Sequence, residues 1–455
     1  MPSYRGKFQY QSQNGSVTQQ GSCQVQFDEE KFTLTPETGA PLVFDLGDVD
    51  ALNAADYEIR LPLYTGNTVR LQQFGKSYDD MTRELLENYR KRTLQCLLLE
   101  DMEEVDRFTA AFALEPPGGA AVSGPAEIRL FKSNVAVLPT ASQAFQWRLA
   151  DLDNFRLDSQ NYEIVLESQS GRLRINRLAK RTELFHTKLR EAIEALKAES
   201  GQALHAILPF LNPEQLQSTA GILREGHSAA ASKLAAIHPR IPEALAANAV
   251  DKTLKPYYDD LVSRTAKGSL FAGFKLIWPA DKDLVGVVSE EAGSDDAGTS
   301  TDRAFSETMP DADAAAPQAL YWFFFPIAAM AGSTEPGNVV AWEASSTSGR
   351  ATYFFRLLDA SEAGALHDPG KWAEAVERAV ERVNRVLGML NFRRKPIYLS
   401  DDELAGDAMF HRYAIAARRI PDLRQVRAAF LGRAMHSSLE AWQGQVKSIL
   451  SKAGQ

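Results

Sequence analysis

The chain has 455 residues, 44% of them hydrophobic and 24% charged, with a formal net charge of −9. That length suits about three domains, and the acidic balance speaks against a dedicated nucleic-acid binder. Its two cysteines, Cys23 and Cys96, cannot form a disulfide framework and read as buried thiols in a reducing, cytoplasmic compartment.

The opening MPSYRGKFQYQSQNG lacks the apolar h-region of a signal peptide. Period-two alternation then marks short strands, such as CQVQF (Cys23–Phe27) and VRLQQF (Val69–Phe74). A helix follows, with Met81, Leu85, Leu86 and Tyr89 on one apolar stripe. Between strand and helix stands FGKS (Phe74–Ser77), which looks like the end of a phosphate-binding loop. A Walker A motif needs its first glycine at position 70, where this chain has Arg70. FGKS is therefore a strand-to-helix turn, with Ser77 placed as the helix N-cap. The nucleotide reading fails.

A second argument against it is a repeat. Shifted by 104 residues, the same stretch returns with Leu178-Ala179-Lys180-Arg181 in place of FGKS. Tyr4 and Phe8 fall on Phe108 and Phe112, and CQVQF falls on EIRLF (Glu127–Phe131). DVD at 48–50 meets DLD at 151–153, and YEI at 57–59 meets YEI at 162–164. Met81 and Leu85 meet Phe185 and Leu189 on the closing helices. Such internal periodicity is the strongest organisational signal in the chain.

A bent antiparallel sheet closed by a C-terminal helix, twice in succession, resembles the pleckstrin-homology-like superfold and its GRAM-like relatives. The resemblance covers the first 200 residues and rests on element order and the repeat, with no diagnostic family motif. It implies α+β binding modules whose ligand is a protein, a peptide or a lipid headgroup, a choice fold alone does not make. The expected boundaries are 1–104 and 105–200 for the two units.

Residues 201–266, punctuated by Pro209, Pro213, Pro239 and Pro242, read as a helical connector. Residues 267–400 read as an α+β domain. It contains an acidic stretch, 286–318, with eight acids and one arginine, expected to be a disordered insertion. ALYWFFFPI at 319–327 is too short to cross a bilayer and carries Pro326, so a buried strand is expected there. Asp368-Pro369 opens a helix as N-cap and first residue. A hairpin followed by an amphipathic helix suggests a third, diverged copy of the repeat. Residues 401–455 read as C-terminal helices, with an apolar stripe through Val426, Phe430, Leu431, Met435, Leu439 and Trp442.

Catalytic patterns are sparse. The seven histidines are scattered, and H-E-x-x-H, C-x-x-C and G-x-S-x-G are all absent. No cofactor or metal is expected. The paired acids Asp48/Asp50 and Asp151/Asp153 precede strands in both repeats, which fits structural turns better than a duplicated active site. One basic run stands out: Arg172, Arg174, Arg177, Lys180 and Arg181, with Arg172 and Arg174 on one face of a strand. It is a candidate site for phosphate or anionic lipid. The alternative is a solvated face balanced by neighbouring acids, since residues 106–198 carry 13 basic and 11 acidic side chains.

The expected function is a non-enzymatic intracellular scaffold with a protein partner. Its alternatives are a peripheral adaptor on an anionic membrane surface through the second unit, or an enzyme with an unrecognised site in 268–400. A weaker arginine cluster, including Arg412, Arg418 and Arg419, lies near the C-terminus and suits an acidic partner surface or the chain's own acidic loop.

Overall fold

Alternating side chains curl the first segment into a sheet. Along β2 (Val17–Phe27), Cys23, Val25 and Phe27 turn inward while Gln24 and Gln26 stay at the surface. A computed structural model describes residues 3–100, 102–266, 268–277, 318–330, 335–345, 351–407 and 410–453. The acidic stretch 286–318, except for Gln318, and the turn at Thr347–Gly349 lie outside the described residues. The chain is mixed α+β, with curled antiparallel sheets. It divides into two compact units: Met1–Glu194 with Ser400–Ile420, and Ala195–Leu399 with Pro421–Gln455.

The first unit holds two seven-stranded sheets. In the first, β1 (Ser3–Gln11) pairs with β2 and with β7 (Thr68–Gln72). The strands β3 (Lys31–Pro36), β4 (Leu42–Asp45), β5 (Asn53–Ala55) and β6 (Glu58–Pro62) complete the order β4-β3-β2-β1-β7-β6-β5. Helix α1 (Tyr78–Cys96) follows β7 and seals the core with Met81, Leu85 and Tyr89 against Phe8, Val25 and Leu71.

The second sheet repeats this order as β11-β10-β9-β8-β14-β13-β12. Its strands are β8 (Glu104–Glu115), β9 (Val122–Phe131), β10 (Asn134–Pro139), β11 (Phe145–Arg148), β12 (Leu152–Asp158), β13 (Glu163–Ser168) and β14 (Gly171–Asn176). Helix α2 (Thr182–Ile207) follows β14. The likeness reaches single dihedral angles. Gln73 and Gly75 take φ of 59° and 56°, and Arg177 and Ala179, 104 residues on, take 57° and 51°. FGKS is thus a left-handed strand-to-helix turn. Ser77 occupies the N-cap position of α1, but its hydroxyl makes no capping bond.

The second unit packs helices α3 (Pro213–Ile222), α4 (Ala231–Ile237), α5 (Arg240–Ala249) and α6 (Lys255–Arg264) with a six-stranded sheet. Its strands are β15 (Ser228–Ala230), β16 (Phe271–Ile277), β17 (Gln318–Ala328), β18 (Pro336–Ser345), β19 (Ala351–Arg356) and β20 (Phe430–Met435). They lie in sequential order, β15 to β20. Among the described residues this order lacks the crossover that sets β1 beside β7 and that a third copy of the repeat would share.

The hydrophobic run at 319–327 forms β17, with Trp322, Phe324 and Phe325 fully buried. Helix α7 (Pro369–Met389) is capped by Asp368, whose Oδ1 accepts from the Gly370 and Lys371 amides at 3.0 and 3.2 Å. Helix α8 (Lys395–Tyr398) then leads to α9 (Asp401–Gly406) and α10 (His411–Arg419) in the first unit. The chain returns to the second with α11 (Pro421–Ala429) and ends with α12 (Leu439–Lys452). One correction falls in this region. Phe430–Met435, expected to be helical, pairs with β19 as β20, because the open edge of β19 offers ladder partners and Gly432 weakens a helix there.

Candidate functional site

The basic run of the second sheet comes first. Leu173 and Ile175 turn inward on β14, so Arg172 and Arg174 share its outer face. Each is answered by an acid from a paired strand. Arg172 Nε donates to Glu167 Oε1 on β13 at 2.9 Å, and Arg174 bonds Glu115 on β8. Arg181 donates to both oxygens of Asp106 at 3.0 and 2.9 Å and covers the Phe108 ring at 4.2 Å. Lys188 adds a 2.9 Å bond to Asp106. Against the upward push of burial, these donors and the Arg107 amide hold the Asp106 carboxyl at about 2. Arg177 and Lys180 are exposed and make no ion pair among the described residues. The structure therefore brings the five predicted residues to one region and neutralises three of them.

The acids Asp48 and Asp50 lead elsewhere. Strand β4 ends at Asp45, and a 3-10 turn, Leu46–Asp48, follows. Asp45 Oδ1 caps that turn by accepting from the Gly47 amide at 2.6 Å. The same carboxylate takes a two-pronged bond from Arg92 of α1, Nε to Oδ1 at 2.8 Å and Nη2 to Oδ2 at 2.5 Å. Arg92 is only 3% exposed, and although burial alone would lower its pKa, the bond to Asp45 raises it.

Onto this turn docks α10. Arg418 bonds Asp48 and lies over the Tyr64 ring at 4.6 Å. Arg419 donates to the Val49 carbonyl, His411 stands 3.5 Å from Asp45, and Arg412 stands 3.5 Å from Glu100. Tyr413, Ile415 and Ala416 bury the apolar face of α10. Burial pushes the Asp48 and Asp50 carboxyls up, against the pull of the arginines. Arg419 itself is 5% exposed, and its Nε and Nη1 find no hydrogen-bond partner among the described residues. Unsatisfied buried donors cost about 1–3 kcal/mol each. The docking is specific.

The second sheet keeps the turn and changes its chemistry. Leu149–Asp151 is again a 3-10 turn, and the preceding residue has the same φ of −75° and ψ of 137° in both copies. That residue is Asp45 in the first and Arg148 in the second, where Arg148 Nη1 lies 3.5 Å from Asp151 Oδ1. Asp151 and Asp153 keep the places of Asp48 and Asp50, so the change of charge falls on the first residue of the turn. Sequence reasoning missed the docking of α10 because Arg418 and Arg419 stand 370 residues away from their partners.

In the second unit, a hydroxyl, an imidazole and a carboxylate meet. Thr352 Oγ1 donates to Glu343 Oε2 at 2.6 Å, and His436 Nε2 lies 3.0 Å from that hydroxyl and 3.1 Å from the same carboxylate oxygen. Trp442 Nε1 donates to Thr352 Oγ1 at 3.0 Å, and Tyr257 stacks on His436 at 4.0 Å. A relay would place the carboxylate on the second ring nitrogen. Here one nitrogen faces both groups, and Thr352 and Glu343 are 0% exposed. The arrangement pins β18, β19 and α12 together.

Among the described residues, no group of three or more His, Cys, Asp or Glu is placed to hold a metal, and no helix is long and apolar enough to cross a membrane. Cys23 and Cys96 are free and buried, and burial pushes their thiols up to about 11 and about 12.

No protein-family model matches the chain, and no curated protein matches it. Among solved structures it is similar to a chain of the Spt16D Pob3N heterodimer, at 18% identity over 37% of this chain and 84% of that one, with a TM-score of 0.16. That score is too low to assign a fold.

Proposed function

We propose that this chain is a non-enzymatic, cytoplasmic interaction scaffold built on two tandem pleckstrin-homology-like units. The strand order shared by the two sheets, each followed by a sealing helix, supports the fold assignment. The observation that carries the function is the acidic turn Asp45–Asp50, which grips a helix through charge pairs and a buried apolar face. A surface that recognises a helix in this way suits protein recognition. A second reading, a membrane adaptor, rests on the exposed Arg177 and Lys180 at the start of α2, because Arg172, Arg174 and Arg181 are already engaged by acids.

One experiment separates the two. The full chain is sedimented with anionic and neutral vesicles at low and moderate salt, alongside an Arg177→Glu/Lys180→Glu variant. The scaffold reading expects no vesicle binding by either protein, together with a stoichiometric partner protein that both retain from the native host. Salt-sensitive binding to anionic vesicles, lost in the variant, would overturn it in favour of the adaptor.

A further inference from the structure

We propose that Ser400–Ile420 is a built-in ligand of the first unit, and that the acidic turn Asp45–Asp50 serves a basic, small-faced helix of a partner protein that takes the place of α10. The inference rests on the scaffold reading and names the chemistry of its partner. Four observations carry it.

The first is charge. Helix α10, HRYAIAARR, carries three arginines and no acid, and it lies against Asp45, Asp48, Asp50 and Glu100. The second is shape. Gly47 is buried at the contact, and a Cβ there would stand 2.9 Å from Ile415 Cδ1. Alanines at 414, 416 and 417 let the helix come this close.

The third is modularity. The segment belongs to the first unit, while Leu399 and Pro421 on either side belong to the second. Helix α9 closes its own end with a capping box, the Ser400 side chain accepting from the Glu403 amide and Glu403 from the Ser400 amide at 3.2 and 2.8 Å. The segment is therefore a docked excursion that opens on a local cap of its own. The fourth is the imperfect fit at Arg419, whose Nε and Nη1 are buried without a hydrogen-bond partner among the described residues. A partner helix that satisfied those donors, or carried none there, would bind the turn better than the built-in one does. A tethered ligand that fits imperfectly is suited to being replaced.

Two measurements on the full chain test this. In hydrogen exchange of the wild type, the α10 amides should open at least about tenfold faster than those of α1, through a local event. Equal protection of the two helices would make α10 an integral part of the core and overturn the inference. A labelled peptide of residues 400–420 is then titrated into the wild type and into an Arg418→Ala chain, whose own segment loses its bond to Asp48 and holds less firmly. The altered chain should take up the peptide about tenfold more tightly, since apparent affinity follows the fraction of open sites. Adding Asp48→Ala should return it to the wild-type level. Equal uptake by the first two chains, or uptake indifferent to Asp48, would refute the proposal. If a partner protein is retained while α10 never opens, the scaffold reading stands and this inference falls; peptide exchange without any partner protein gives the reverse.

Discussion

Gly47 offers the sharpest test of how α10 is seated. A Cβ at this buried position would meet Cys96 Sγ at 2.7 Å, Asp45 Oδ1 at 2.9 Å and Ile415 Cδ1 at 2.9 Å. Only the isoleucine methyl is the far end of a flexible side chain. Asp45 is fixed by the Gly47 amide and by Arg92, and the Cys96 sulfur sits two bonds off the α1 backbone. Overpacking of this kind costs about 1–3 kcal/mol, and three simultaneous contacts place Gly47→Ala near the upper end. For a unit of roughly two hundred residues that is a fall in Tm of about 5–10 °C. Calorimetry of the full chain reads it. Ile415→Val alone should cost about 0.5–1.5 kcal/mol. In the Gly47→Ala background it removes one of the clashes, so the pair should be less than additive by about 0.5 kcal/mol or more. A Gly47→Ala protein that melts within about a degree of the wild type, or two effects that simply add, would mean that α10 does not pack on this turn.

Three further outcomes are expected. Thr352→Val keeps side-chain shape but strips the Trp442 indole and the Glu343 carboxylate of a shared partner, so it should cost about 2 kcal/mol in urea unfolding, where an apolar site would tolerate it. Asp106→Asn should lower stability at pH 7. Because the folded carboxyl sits at about 2 against an ordinary 3.8, that stabilisation is complete above the ordinary value and lost as the pH falls through about 2. The gap between variant and wild type should therefore close from pH 4 downward, and a constant gap would contradict the assignment. Tyr162, 74% exposed with a φ of 51°, sits where its counterpart Tyr57 has a φ of 56°. Tyr162→Gly should raise the urea midpoint by an amount worth about 0.5 kcal/mol, the left-handed strain relieved exceeding the entropy added, and a lowered midpoint would count against that strain.

Much of the first 200 residues was legible because period-two alternation and a repeat reinforce each other. CQVQF and EIRLF each carry one buried face, Val25 with Phe27 and Ile128 with Leu130. The 104-residue shift sets Val25 on Arg129 and is corrected by one residue here, since Phe8 pairs with Gly21 and Phe112 with Gly124. The left-handed turn before each helix was readable at Gly75 and hidden at Ala179, where an L-residue adopts the same dihedral angle. Local pattern failed where tertiary partners decide. The stripe through Phe430 and Met435 has helical spacing, yet the edge of β19 claims those residues. Nothing within residues 400–420 signals that they fold with the first sheets instead of with their chain neighbours.

Both sites draw most of their partners from distant parts of the chain. Of the acids that answer the basic run, Glu167 faces Arg172 across the β13–β14 hairpin, while Glu115 and Asp106 reach Arg174 and Arg181 from 59 and 75 residues away. The pair Asp48/Asp50 looked like a turn and is one, but its arginines come from the far end of the chain. Charge along a sequence says little about charge in a folded surface when register supplies the neighbours. A readable signal did exist in the comparison of the repeats with each other. The turn after β4 and β11 is kept down to its dihedral angles, while its first residue changes from Asp45 to Arg148. The backbone of the turn is therefore indifferent to the charge of that residue, and in the first sheet Asp45 ties the turn to Arg92 of α1 while Asp48 and Val49 receive α10.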